Sequence, residues 1–387
     1  MIQVESAMKT HRRQRGIVFI VIVFMIALAT TVLLLKAYNP ADLRAQQAKK
    51  TEQSLAVAKQ ALLAYAAEPI TATVRNPPLL RCVDRDSNGI IDSDDTPYIP
   101  NNCNCGTNCP RPGDMPCPDM DNDGVAEPYC SATQIGRLPW KTLGTDDLRD
   151  GVGERLWYAV SNQYKNNPRL LPLNSDSVGT ISMRDSQGNL LYDATGITGL
   201  AAVVIAPGDV LTRFDGLVQS RAATNENTAS HYLDIAYGED NASFVEGTPD
   251  GFISGEVVIA GQKVVNDVVL PITRDEMNAV MEPRVLAEAM QALNYFYTVN
   301  GNYPDPADIA DSTCSGSVTI GNTSCITILG KPSGKIPVGS STPPPTDIWA
   351  SIDSNSILRG ESSHNWFQQN GWRELITYEA TPELHIN

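Results

Sequence analysis

The chain has 387 residues, 42% of them hydrophobic and 19% charged, enough for two or three packed domains and too apolar for wholesale disorder. The net charge of -15 hides an asymmetry: residues 1–16 hold Lys9, Arg12, Arg13 and Arg15 against Glu5, or +3, so the other 371 residues sum to -18. So acidic a body repels nucleic acid and anionic lipid, and no nucleic-acid partner is expected.

The first predicted element follows the basic cluster. Residues 17–35 are nineteen residues without a charge, which as a helix would extend roughly 28 Å, near the thickness of a bilayer core. With Arg12, Arg13 and Arg15 in front, the positive-inside rule predicts a single-pass inner-membrane anchor, N-terminus cytoplasmic and ectodomain periplasmic. A cleaved signal ending at Ala27-Leu28-Ala29 is an alternative, although the apolar run continues beyond it. From Ala41 the composition is helical again, and Leu55, Ala58, Leu62 and Tyr65 form one apolar stripe. Asn39-Pro40 restarts the helix at one end and Pro69 ends it at the other.

A short basic leader ending in glycine, followed at once by an apolar helix that runs into an amphipathic one, resembles the type IV pilins and type II secretion pseudopilins. The resemblance implies cleavage by a prepilin peptidase after Gly16 and methylation of the new N-terminus, Ile17. It also implies other pilin or pseudopilin subunits as partners, met through the N-terminal helix. Two residues depart from the pattern: Ile17 stands where the family usually has Phe or Met, and Val21 where it has Glu. Tip pseudopilins can lack that Glu, so the expectation is a low-copy or tip subunit of a pilus or secretion filament, without enzymatic activity. The alternative is a membrane-anchored or secreted periplasmic binding module outside any filament.

Residues 69–165 are rich in loops and cysteine. DRDSNGIIDSDD places Asp84, Asp86, Asn88, Asp92 and Asp95 at positions 1, 3, 5, 9 and 12, with Gly89 at 6 and the Ile90 carbonyl at 7. That order supplies the roughly six to eight oxygens calcium needs within a compact loop. A second, partial loop offers Asp119, Asp121, Asp123 and Glu127 around Gly124, with Cys130 at position 12. Six cysteines share this region (Cys82, Cys103, Cys105, Cys109, Cys117 and Cys130), and Cys314 and Cys325 form a later pair. An even count beside Pro, Gly and Asn predicts an oxidised framework, with the pairing of the six left open. Zinc is the rival reading of CNCGTNC with Cys117, although no histidine lies near and no paired CxxC is present. Trp140, Trp157 and Tyr158 are expected to pack in a core rather than line a carbohydrate or peptide site.

Residues 166–272 read as β structure, with a hairpin at TISMRDSQGNLLYDA and a buried strand at LAAVVIAPG. Thr273 and Glu276 then form a capping box at the head of a helix. Its LAEAMQALNYFYT matches LAVAKQALLAYAA at six of thirteen positions, which suggests a duplicated unit over 273–387. The expected fold is therefore α+β: a long membrane-spanning helix (17–68 with its spine) packed on antiparallel sheet, a β-rich insertion and a second helix-on-sheet unit. No GxSxG, HExxH, phosphate-cradling or redox CxxC motif appears.

Overall fold

The structure, a computed structural model, describes residues 14–37, 40–67, 111–130, 135–165, 172–244, 250–310, 325–339, 367, 370–379 and 383–386. It comprises two compact units, Met1–Lys50 and Thr51–Asn387.

In the first unit, α1 runs Gln14–Ala37 and α2 (Pro40–Ala67) begins. The membrane-spanning helix expected here, and with it the single-pass inner-membrane placement, is corrected. Among the described residues no helix is long and apolar enough to cross a membrane. α1 has 24 residues, and the apolar stretch described within it is residues 18–31.

The second unit is α+β, with several antiparallel sheets. Its central sheet has the order β1 (Ile135–Arg137), β2 (Trp157–Val160), β5 (Ala202–Ala206), β11 (Val268–Ile272), antiparallel throughout. Every residue of β2 and β5 is buried. Side chains alternate across a strand, so a strand buried at every position must be covered on both faces.

On one face Tyr158, Val160, Ala202, Val204 and Ala206 meet Leu55, Ala58 and Leu62 of α2 and Met277, Met281, Val285, Ala289 and Leu293 of α3 (Arg274–Asn300) in a single cluster. On the other, Trp157, Ala159, Val203 and Ile205 meet Ile181 and Met183 of β3 (Ile181–Arg184), Phe252 of β8 (Asp250–Ile253), and Tyr232 and Phe244. β3 pairs antiparallel with β4 (Leu190–Tyr192) and parallel with β8. Between β4 and α3 also lie the small ribbons β6 (Ile235–Ala236) with β7 (Glu239–Asp240), and β9 (Val257–Ile259) with β10 (Gln262–Val265). The helix-side cluster also takes in Trp372 of α4 (Trp372–Leu375) and Tyr378 of β13 (Ile376–Glu379), which pairs with β12 (Ser333–Gly334) and β14 (Glu383–Ile386).

The helical stripe Leu55, Ala58, Leu62 and Tyr65 is buried, at 2, 0, 0 and 6% exposure. At the start of α3 the Thr273 hydroxyl accepts the Glu276 N–H and the Glu276 carboxylate accepts the Thr273 N–H, satisfying two donors that a helix start leaves open. Lys59 of α2 reaches this cap, pairing with Glu276 at 2.5 Å and donating to the Pro271 carbonyl at 2.8 Å.

Trp157 and Tyr158 lie inside this core, at 2 and 0% exposure. Leu62→Ala should destabilise the chain by about 2–5 kcal/mol in denaturant unfolding, because the site is enclosed by α3 and the sheet. Val57→Ala on the exposed side of the same helix should change it by less than about 0.5 kcal/mol. Equal effects would mean that α2 does not pack by this stripe.

Candidate metal centre

The second acidic loop hangs from the edge of the central sheet. Asp119 and Arg137 of β1 exchange both backbone hydrogen bonds, at 2.7 and 3.0 Å. A disulfide between Cys117 and Cys130, with Cα atoms 5.2 Å apart, closes the loop's two ends. In the chain-entropy picture, a closed loop of this size stabilises by about 3 kcal/mol. Of the six cysteines left open above, this pair is thereby assigned. Cys325 is also disulfide-bonded. Its expected partner Cys314, together with Cys82, Cys103, Cys105 and Cys109, lies outside the described residues.

Inside the loop the backbone folds around the carboxylates. Asp119 accepts N–H bonds from Asn122 at 2.6 Å and Gly124 at 2.7 Å. Both donors belong to residues with positive φ, 66° at Asn122 and 87° at Gly124. At Gly124 the constraint is double, since a Cβ would also stand 2.6 Å from Nε1 of Trp140. Asp121 accepts the N–H of Asp123 at 3.1 Å, and Glu127 that of Met120 at 3.2 Å.

The outcome is that one oxygen from each of Asp119, Asp121 and Glu127 lies within 4.8 Å of the others. Asp123, expected as a fourth ligand, is not in this group; its carboxylate accepts the Val125 N–H at 2.6 Å. Asp119 is buried, Glu127 half-buried and Asp121 exposed, so the cluster opens to solvent on one side.

Burial, with the charges of Asp123 and Asp121, pushes the Asp119 carboxyl up to about 6, against the pull of the Gly124 and Asn122 N–H groups. A buried carboxylate beside two others lacks positive charge, and an ion held by all three would supply it. Three carboxylates with room for water suit a hard, oxygen-seeking divalent cation. The donor set does not distinguish calcium from other such ions, because position 12 is a disulfide sulfur and provides no bidentate carboxylate.

No family model, curated protein or solved structure matches this chain. The site therefore rests on its own geometry.

Of the predicted residues, Asp84, Asp86, Asn88, Ile90, Asp92 and Asp95 lie outside the described residues. Several supporting residues were not foreseen. Asn122 accepts from Arg155 at 2.6 Å through its side chain and 3.2 Å through its carbonyl, and donates to Glu226. Lys141 donates its backbone N–H to the Gly124 carbonyl at 2.8 Å and its ammonium to the Asp123 carbonyl. Asn tolerates positive φ better than most residues, so Asn122 was open to prediction. Its partners 33 and 104 positions away were not.

A divalent cation at about 100 times its Kd should raise the unfolding free energy by about 2–3 kcal/mol. Asp119→Asn should remove the contribution of this loop, measured as the loss of the calcium-dependent rise in Tm that chelator reverses. An unchanged rise in the variant would exclude the loop as its source.

Proposed function

We propose that the chain is a minor pilin or pseudopilin, a non-catalytic subunit of a type IV pilus or type II secretion filament. The observation that carries this reading is α1. Residues 18–31 are uncharged, and all are exposed. The large side chains among them stand 48–68% exposed. Even the two hydroxyls are turned inward, Thr30 and Thr31 each donating to the Ala27 carbonyl at 2.9 and 2.7 Å. Successive residues point about 100° apart around a helix, so no polar face remains.

A helix apolar on every side requires cover on every side. One partner helix covers only a stripe, so several neighbours are needed. The occupant the sequence favours is the same helix in other copies, which would make a head-to-tail assembly with the helices bundled at its centre. Cleavage after Gly16 by a prepilin peptidase belongs to this reading, as does Val21, which leaves no carboxylate in the bundle. A cation in the 119–127 loop would order the carboxylates of the second unit, coupling its folding to the metal.

A photo-crosslinker placed at Ile22 of the full chain should join copies through residues 17–35 at a few defined positions. Phe24→Asp should reduce that product about tenfold or more while leaving the Tm of the second unit unchanged, since a lone carboxylate in an apolar bundle costs several kcal/mol. Crosslinks scattered over the whole partner, or unaffected by Phe24→Asp, would refute the assembly.

A further inference from the structure

Asp234, at the head of β6, and Asp267, in the turn between β10 and β11, have no solvent exposure. Each is gripped by donors from a different segment. Asp234 accepts from the Gln219 side chain and from the Asn266 N–H, both at 2.8 Å. Asp267 Oδ2 accepts from the Asp234 N–H and from Asn241 Nδ2, again at 2.8 Å. Asn241 is itself tied to β8, exchanging hydrogen bonds of 2.8 Å with the backbone of Ile253.

One atom is left over: Asp267 Oδ1 is buried and receives no N–H, while Oδ2 of the same carboxyl accepts the N–H of Asp234 at 2.8 Å, which sets the two acidic residues side by side. Two carboxylates in such contact away from water cannot both be charged. A proton on Asp267 Oδ1 would give the leftover atom an O–H and remove one charge.

The charges on the surrounding segments are committed elsewhere. Arg213 donates to the Leu233 carbonyl at 3.0 Å and pairs with Asp240 at 2.9 Å and Asp215 at 3.1 Å. Arg221 pairs with Glu154 at 3.3 Å, Arg184 with Glu239 at 2.7 Å and Lys263 with Glu256 at 2.5 Å. His231 uses Nδ1 to accept the Ser220 N–H at 3.2 Å.

We propose that Asp234 and Asp267 share one proton in the folded chain, and that this proton is a pH-operated latch holding the segments around residues 219, 234, 241, 253 and 267 together. Burial pushes both carboxyls up, Asp234 to about 6 and Asp267 well above the usual carboxylate range, where the charge of Asp234 raises it further. A raised folded value means that the folded chain keeps a proton the unfolded chain has released. Stability is therefore greatest in acid and falls as pH rises through about 6 and beyond.

Denaturant unfolding of the full chain between about pH 5 and about pH 9 should show the folded-to-unfolded ratio dropping by up to about tenfold per pH unit over part of that range. Amide exchange at Asp234, Asn241, Ile253 and Asn266 should accelerate together beyond the intrinsic pH effect. Asp267→Asn, which offers an N–H in place of the O–H, should flatten the stability profile. An identical profile in the variant would overturn the proposal. Should the variant not fold, the infrared carbonyl band of a protonated carboxyl in the wild type decides: its presence at neutral pH and loss at alkaline pH support the latch, and its absence at neutral pH overturns it.

Discussion

The second unit depends on two strands that water cannot reach from either side. β2 and β5 are buried at every position, and the alternation of their side chains sorts the molecule into two cores. Tyr158, Val204 and their neighbours require helices, and α2 and α3 supply apolar stripes at helical spacing. Trp157, Ile205 and Val203 require a second layer, and β3, β8 and the 229–244 segment provide it. A shift of one residue in the register of β2 would exchange Trp157 for Tyr158 and send each into the wrong core. The hydroxyl of Tyr158 makes the choice specific, for it donates to the Pro116 carbonyl at 3.1 Å on the helix side.

From that sheet the functional features hang on polar tethers. Asp119 is bonded to β1, and Arg137 of the same strand places its guanidinium 4.0 Å from the Trp157 ring centre and 4.1 Å from that of Tyr232. Burial pushes Arg137 down to about 10. It remains a cation at neutral pH, gripped between aromatic faces and donating to the Glu226 carbonyl at 2.8 Å. One cation thus fixes the second layer to the sheet and the 222–232 segment beside the acidic loop.

Local periodicity was the legible part of the fold. The stripe Leu55, Ala58, Leu62 and Tyr65, the Thr273–Glu276 cap and the strand at 202–206 were each readable from a dozen residues or fewer, because short-range geometry determines them. The 17–35 segment was read as a membrane span from hydropathy and length in sequence. Among the described residues no helix is long and apolar enough to cross a membrane, and that expectation fell. At the acidic loop, spacing brought out Asp119, Asp121 and Glu127 but also enrolled Asp123, which the backbone of Val125 claims. Spacing lists oxygens in order along the chain without saying which way each carboxylate turns. The Cys117–Cys130 pairing was one of several that six cysteines allow. The Arg155 and Glu226 contacts of Asn122 and the acid pair Asp234–Asp267 join residues 33 or more positions apart, and a single chain carries no sign of such meetings.

Two carboxylate clusters among the described residues of the second unit pose one electrostatic problem and call for different answers. Around Asp119 three carboxylates converge, one of them exposed, so water and a hydrated ion have a path in and enough oxygens to hold the ion. Around Asp267 there are two, both sealed, and the donors of Gln219, Asn241 and Asn266 already occupy the other oxygens. A divalent ion there would have to strip its water without recovering the roughly six to eight oxygens it prefers. A proton needs only one oxygen pair. Solvent access and ligand count, rather than charge alone, therefore separate a site suited to a cation from one suited to a proton.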